Sequence, residues 1–128
     1  MRLLLDTHVL LWAVGEPKRL TDEARRALAD TSNDLSASAA SVWEIGIKVS
    51  LGKLKLPGPV DPWLFEAAQD LDVGWISVEP TDAAAAAGLP MHHRDPFDRM
   101  LVAQARRGFT LLTHDRSFAA YGVPVVWA

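Results

Sequence analysis

Short apolar runs alternate along the chain with stretches in which apolar residues recur at helical spacing. Residues 3–5 are leucines without polar interruption, which is typical of a central strand buried on both faces. Further along, Val42, Ile45 and Val49 recur at near-helical spacing, which predicts a helix with one apolar face. Strands that alternate with helices indicate a parallel sheet with right-handed crossovers. The pattern therefore predicts a three-layer α/β/α fold with a central parallel sheet of four to five strands.

Capping and stop residues divide the chain into elements. Strands are predicted at residues 2–6, 34–37, 75–78 and 110–113, with a candidate fifth at 125–127. Helices are predicted at residues 7–14 and 21–29, from Ser38 or Ser41 onward, and at 62–71, 83–87 and 96–107. Two of these helices open on an aspartate followed by proline, Asp61-Pro62 and Asp95-Pro96, which suits an N-cap and a first helical residue.

Composition limits the class of protein. With 128 residues, of which 49% are hydrophobic, the chain is expected to form one domain over residues 1–128 with a sizeable core. It has no cysteine, which excludes disulfides and thiolate zinc sites and fits a reducing cytoplasm. No stretch approaches the roughly 20 apolar residues of a membrane span, and the N-terminus lacks a signal-peptide layout. We therefore expect a cytoplasmic protein with no membrane association.

Four acidic residues stand where the predicted elements begin or end. Asp6 and Asp115 each follow an apolar run, so parallel strands would bring both to the carboxyl edge of one sheet. Glu44 lies early in the amphipathic stretch, and Asp98 lies in the first turn after Asp95-Pro96. Open α/β sheets bind their ligands at that edge. Four acids from four separate segments therefore predict one acidic site.

Clustered carboxylates repel one another and raise each other's pKa unless a cation compensates them. The cation that best suits carboxylate oxygens is a hard divalent ion, usually Mg²⁺ or Mn²⁺. This predicts a metal-dependent enzyme of phosphoryl transfer or hydrolysis. The formal net charge of −3 argues against a protein that grips nucleic acid mainly by counterion release. It does not exclude a metal enzyme, because bound cations reverse the local field.

Each acid also has an ordinary structural interpretation. Asp6 could stabilise the start of the helix that follows it, and Asp115 could serve a turn or a cap. Glu44 matches a capping box that begins at Ser41, in which the glutamate would reach back to the backbone. Capping explains each residue alone, but it does not explain why all four stand at such positions.

Asp95 and Asp98 are close enough in sequence that their roles must be separated. Asp95 precedes a proline and is interpreted as the N-cap residue, its side chain occupied by backbone amides. Asp98 is then the third helical residue and the candidate metal ligand. The positive end of the helix is expected to hold its pKa down.

Other polar and aromatic residues give weaker signals. None of the four histidines has the spacing of a helical zinc pair, and they are expected at the surface or behind the site, with His114 facing it: His8, His92, His93, His114. Thr7 and Thr113 could orient carboxylates or serve capping and packing. The tryptophans, Trp12 and Trp43 among them, are expected in the core or at an interface rather than as platforms on which bases stack. Four basic residues could contact substrate phosphates or form a solvated face: Lys48, Arg94, Arg99, Arg116.

Four segments carry a family resemblance, in the order LLLDTHVLLW, SVWEIGIK, HRDPFDRMLVAQA and TLLTHDRSFAAYGV. Together they resemble a PIN-domain protein, and more closely the VapC-type toxins of bacterial toxin–antitoxin pairs. The resemblance implies an acidic quartet at Asp6, Glu44, Asp98 and Asp115, with Asp6 and Asp98 as the principal Mg²⁺ ligands. It also implies a parallel sheet, a homodimer and a VapB-type antitoxin that plugs the active site. His114 stands where many relatives carry arginine, which puts a basic RNA contact there in doubt and could make activity pH-sensitive.

The leading hypothesis is a Mg²⁺- or Mn²⁺-dependent endoribonuclease that cuts single-stranded or loop regions of tRNA or another structured RNA. Metal-activated water would attack phosphorus in line and leave 5′-phosphate and 3′-hydroxyl ends. The alternative is a catalytically inactive PIN-fold binding module. A phosphatase of the haloacid-dehalogenase type is disfavoured, because that chemistry needs a second aspartate at position 8, which is His8.

Overall fold

A five-stranded sheet forms the centre of the structure. The computed structural model describes residues 1–128, and its strands are β1 (Arg2–Leu5), β2 (Asp34–Ser38), β3 (Val73–Ile76), β4 (Thr110–Thr113) and β5 (Val125–Trp127). All neighbouring pairs are parallel, in the order β3-β2-β1-β4-β5. Because β1 and β4 are neighbours, with Leu5 opposite Leu112, the residues that follow them leave the sheet side by side.

Six α-helices connect the strands: α1 (Thr7–Gly15), α2 (Asp22–Ala29), α3 (Ala39–Ser50), α4 (Val60–Asp70), α5 (Pro80–Ala87) and α6 (Pro96–Ala105). Two 3-10 helices complete the set, Pro17–Arg19 and Arg116–Tyr121. None of the helices combines the length and apolar character that crossing a membrane requires.

Apolar cores lie on both faces of the sheet, which confirms the predicted three-layer α/β fold. On one face Leu3 and Leu5 pack with residues of α1 to α4, such as Ile45. On the other face Leu4 packs with residues of α6 and of the second 3-10 helix, such as Leu101 and Phe118. Successive residues of β1 thus enter opposite cores, because side chains alternate across a strand. This alternation explains why the run is apolar throughout.

Three element starts differ from the sequence prediction, those of β3, α4 and α5, and the last of these helices begins at Pro80, three residues early. Strand β3 begins at Val73, two residues early, because Val73 is buried and pairs with Leu35 while Val78 is 38% exposed. Helix α4 begins at Val60, and its N-cap is Pro59 rather than Asp61. The Pro59 carbonyl already accepts a hydrogen bond from the Trp63 amide at 3.2 Å, so the helical pattern is under way before Asp61.

Helix α6 begins where the Asp-Pro pair predicts, and Asp95 is its N-cap. The helix ends at Ala105, two residues before the predicted end, and a turn follows. Gly108 closes that turn with a φ of +100°, a conformation that residues with a Cβ rarely adopt. The turn returns the chain directly into β4.

Candidate active site

Asp6 has two roles at the end of β1. One carboxylate oxygen caps α1 by accepting from the Val9 amide at 2.8 Å. The other accepts a hydrogen bond from the Thr113 hydroxyl of the neighbouring strand β4. Burial raises the pKa of Asp6, although the hydrogen bonds from Thr113 and Val9 oppose the rise. The capping interpretation is therefore right, and it leaves the second oxygen at the sheet edge.

Asp95 and Asp98 divide their roles at the start of α6. The Asp95 carboxylate accepts from the amides of Phe97 at 2.8 Å and Asp98 at 3.3 Å, as an N-cap does. Burial, together with repulsion from Asp95, Glu44 and Asp6, raises the pKa of Asp98 to about 7. The prediction that the helix start lowers this pKa is wrong, because desolvation and like charges outweigh the helix dipole.

Glu44 lies buried in α3, and it has only one partner. Its Oε2 accepts from Nζ of Lys48 at 2.9 Å, while its Oε1 is buried without a hydrogen bond. The capping-box interpretation is wrong, because the side chain of Ser38 caps α3 at the Ala40 amide. Ser41 lies inside the helix and accepts instead from the Thr7 hydroxyl at 2.9 Å. Glu44 is thus free of any capping duty.

Asp115 follows β4 and caps the second 3-10 helix. Its Oδ1 accepts from the backbone amide and the hydroxyl of Ser117, at 2.9 and 2.7 Å. Partial burial opposes ionisation, but the hydrogen bonds from Ser117 and His93 prevail and lower the pKa of Asp115. Its other oxygen, Oδ2, lies 3.1 Å from Nε2 of His93.

His93 joins two of the acids, a role that the sequence did not reveal. Its Nε2 lies 3.0 Å from Oδ2 of Asp98 and 3.1 Å from Oδ2 of Asp115. Its Nδ1 accepts from the Asp95 amide at 3.2 Å, which assigns the hydrogen of the neutral ring to Nε2. Tyr121 fixes the backbone nearby, because its hydroxyl accepts from the His93 amide at 2.9 Å. His93 is therefore a hydrogen-bond donor inside the acidic site.

For Arg99 both sequence interpretations, a contact to substrate phosphate and a solvated face, are wrong. It is buried, and its guanidinium donates to backbone carbonyls of the loop that leads to His93, including Leu89 at 2.9 Å and Pro90 at 3.1 Å. Its guanidinium is therefore not part of a solvated face, and its donors are occupied by backbone carbonyls. These hydrogen bonds hold the loop that leads to His93 in place.

His8 and His114 lie on the other side of Asp6. Nδ1 of His114 is 3.9 Å from Oδ2 of Asp6. The His8 and His114 rings meet edge to face at 5.2 Å, and the Trp12 ring lies 4.7 Å from that of His114. The prediction that His114 faces the site is right, and its first neighbour there is Asp6.

The donor set fits a hard divalent cation. The structure brings the four predicted acids together at the carboxyl edge of the sheet: Asp6, Glu44, Asp98, Asp115. Carboxylate oxygens are ligands that Mg²⁺ and Mn²⁺ favour, and Oε1 of Glu44 lacks a hydrogen-bond partner. Two groups of three residues could hold an ion, and within each group the ligand atoms lie within 4.8 Å of one another: His93, Asp98 and Asp115 in one group, and Asp6, His8 and His114 in the other.

An apolar groove of about 620 Å³ lies between α3 and α6, the helices that carry Glu44 and Asp98. Trp43 and Phe97 stand at its rim, each next in sequence to a site acid, and their rings meet edge to face at 5.4 Å. The Trp43 side chain is 67% exposed, so of the two positions expected for it, the core or an interface, the structure excludes the core. Large exposed apolar surfaces of this kind mark interaction sites.

Comparisons with known proteins identify the family of this chain. The PIN domain family matches residues 3–124. Ribonuclease VapC22 of Mycobacterium tuberculosis (strain ATCC 25618 / H37Rv) is 33% identical over 130 residues, which cover 98% of this chain and 98% of that protein.

Two solved structures share the fold at low identity. VapBC2 from Rickettsia felis, bound to a DNA fragment from its promoter, has a TM-score of 0.73 and 15% identity, over 98% of each chain. VapBC-5 from Mycobacterium tuberculosis, a member of the VapBC family of toxin-antitoxin systems, has a TM-score of 0.61 and 16% identity, over 99% of this chain and 98% of that chain. The chain therefore belongs to the PIN domain family, and its resemblance to the VapC-type members is confirmed.

Proposed function

We propose that this protein is a Mg²⁺- or Mn²⁺-dependent endoribonuclease and the toxin of a toxin–antitoxin pair. The observation that carries the proposal is that four acids from four segments lie close together: Asp6, Glu44, Asp98, Asp115. Within this cluster Oε1 of Glu44 is buried and has no hydrogen-bond partner. The similarity to Ribonuclease VapC22 over nearly the whole chain supports RNA as the substrate.

Asp6 and Asp98 would be the principal ligands of the ion, with Glu44 and Asp115 completing the pocket. A divalent ion bound there lowers the pKa of water and offsets the charge that develops on phosphate. Asp98 has a pKa raised to about 7, so the site holds fewer full charges at neutral pH without a cation than four ionised carboxylates would carry.

The chain's own groups suggest how the reacting phosphodiester would be handled. Oε1 of Glu44 has no partner and can accept a hydrogen bond, or a proton, from the attacking water. Nε2 of His93 carries a hydrogen that can donate to a phosphate oxygen between Asp98 and Asp115. Attack by water predicts products with 5′-phosphate and 3′-hydroxyl ends.

An end-labelled cleavage assay with total tRNA tests the proposal. Wild-type protein would be compared in Mg²⁺, in Mn²⁺ and in EDTA, beside Asp98→Asn and the control Asp61→Asn, whose side chain is exposed and caps no helix. We expect metal-dependent cuts in the wild type and the control. We expect a loss of more than about 100-fold in Asp98→Asn, since even residues behind a metal site typically cost 10- to 100-fold. Cuts that persist in EDTA, or products with cyclic 2′,3′-phosphate ends, would contradict the mechanism.

We also propose a VapB-type antitoxin as the protein partner, with the apolar groove as part of its docking surface. The groove lies between the two helices that carry Glu44 and Asp98, so a chain seated in it would need only a short extension to cover the site. Co-purification with a VapB-type protein of the same organism should fail for Trp43→Glu while that variant still cleaves RNA. The family resemblance further suggests a homodimer, which light scattering on the purified chain would test.

A further inference from the structure

An aromatic strip leads away from the acidic site on the Asp6 side. We define it by three residues, His8, His114 and Trp12. The ring centroids of Trp12 and His114 are 4.7 Å apart, those of His8 and His114 are 5.2 Å apart, and those of His8 and Trp12 are 6.2 Å apart. These distances are those of rings in contact. The three rings therefore form one contiguous cluster, in which each ring is tilted against its neighbours by 52° to 75°.

The strip is accessible and begins at the acids. His8 is exposed and the His114 side chain is 38% exposed, so neither ring is needed to fill the core. Nδ1 of His114 lies 3.9 Å from Oδ2 of Asp6. A group bound on the strip would thus lie next to anything bound at the acids. Trp12 forms the floor, because it is partly buried and packs against the core below.

A cation lies over the Trp12 ring of the strip. The Arg19 guanidinium lies 4.8 Å from the Trp12 ring. Its ionic partner Glu16 is 3.7 Å away, and both side chains are more than half exposed. Solvent-exposed pairs of this kind contribute little, so Arg19 remains able to bind an anion. Aromatic rings with an adjacent arginine are the elements with which proteins bind single-stranded nucleic acid.

We propose that the aromatic strip binds an unpaired nucleobase of single-stranded RNA next to the phosphate held at the acids, with Arg19 contacting a neighbouring phosphate. The proposal rests on RNA being the substrate, but it concerns binding rather than cleavage. Every base has a flat π face, so the strip selects for an unstacked base and not for a sequence. In a duplex each base is already stacked between neighbours and cannot reach the rings.

The test is a double-mutant cycle between one ring and one base. The parent protein is Asp98→Asn, so that the RNA stays intact. Binding is followed by fluorescence anisotropy with fluorescein-labelled decauridylate and with copies in which single positions are abasic. The variants are His114→Ala and Trp12→Ala, with His114→Phe to retain the ring and Trp43→Ala as the control. Trp43 is an exposed tryptophan whose ring meets that of Phe97 and none of the rings of the strip.

We expect His114→Ala and Trp12→Ala to weaken binding of intact decauridylate by about 5- to 150-fold. His114→Phe and Trp43→Ala should bind like the parent. One abasic position should weaken the parent by a similar factor and cause no further loss in His114→Ala. Because Trp12 contacts the core, its variant is checked by a thermal melt, whereas His114 is exposed and serves as the independent measurement.

Three outcomes would overturn the inference. They are equal losses on intact and abasic RNA in His114→Ala, binding of a duplex as tight as binding of the single strand, and no binding of decauridylate by the parent. Failure of the nuclease proposal can be distinguished from failure of this base-binding proposal. Base-dependent binding by a wild-type protein that cleaves no RNA would reject the enzymatic activity and leave the strip in place.

Discussion

Helices α5 and α6 begin alike, yet their acids end in opposite situations. Both helices start with proline, and both carry aspartate as the third helical residue, Asp82 in α5 and Asp98 in α6. The Asp82 side chain accepts from the Glu79 amide at 2.9 Å and pairs with Nε of Arg107 at 3.2 Å. Both of its oxygens are engaged, and its charge is matched.

Asp98 has no such compensation. Its N-cap duty is taken by Asp95, and its near neighbours include the carboxylates of Glu44 and Asp6. His93 is the one ring that donates to it. The same local sequence pattern thus has two outcomes. Asp82 lies beside an arginine and stabilises the fold, whereas Asp98 lies among other carboxylates and its charge is left for a cation to compensate. The difference is set by tertiary neighbours and not by the helix.

The pH dependence of stability should separate these two acids most strongly. The pKa of Asp98 is raised from 3.8 to about 7, so the folded protein keeps a proton that the unfolded chain has lost between these values. The free energy of unfolding therefore falls as the pH rises from about 4 to about 7. The Asp98→Asn variant has no carboxyl group at this position, so its free energy of unfolding does not fall for this reason. Without divalent cations it should match the wild type near pH 4 and exceed it by on the order of 3 kcal/mol near pH 8.

Urea denaturation in EDTA at several pH values measures this difference. Asp82→Asn is the control, since its carboxylate is matched by Arg107 and its removal should give no such gain. Equal stability of wild type and Asp98→Asn at pH 8 would mean that the fold does not raise the pKa of Asp98.

Much of this site follows from the sequence because strand ends and caps are local features. Apolar runs place Asp6 and Asp115 at one sheet edge, and a proline at position 96 identifies Asp95 as the cap. His93 could not be found in this way. Its position depends on Tyr121, which is 28 residues later in sequence, and on the carbonyl contacts of Arg99. The pKa of Asp98 escaped prediction because burial and neighbouring charges are properties of the folded chain.

Divalent cations should stabilise the wild type, because an ion that binds only the folded state raises its stability. At a concentration 100-fold above Kd the gain is about 2.7 kcal/mol. Thermal melts in Mg²⁺ and in Mn²⁺ would show it as a higher Tm. Asp82→Asn should keep this response and Asp98→Asn should lose most of it. A wild-type Tm that does not move with either ion would remove the main support for a metal site.

Loss of Asp82 should instead damage the fold. Asp82→Ala leaves the Glu79 amide without its acceptor and Arg107 without its partner. Arg107 is partly exposed and can be rehydrated, so we expect a loss of about 1–3 kcal/mol in unfolding free energy. Cleavage per folded molecule should remain. An activity loss at full stability would place Asp82 in the site, and the contrast between the two helices would fail.

The smallest expected change in stability concerns Asp95, which caps α6 and so leaves the Asp98 side chain without a capping role. Asp95→Ala should cost about 0.5–2 kcal/mol of stability through the lost bonds to Phe97 and Asp98. Asp95→Asn keeps the cap and removes the charge. Since repulsion from Asp95 is the largest cause after burial, the pKa of Asp98 should fall in Asp95→Asn, and the pH window of stability loss should move lower. A stable Asp95→Ala protein without cleavage, beside an active but unstable Asp98→Asn, would mean that the two aspartates exchange roles.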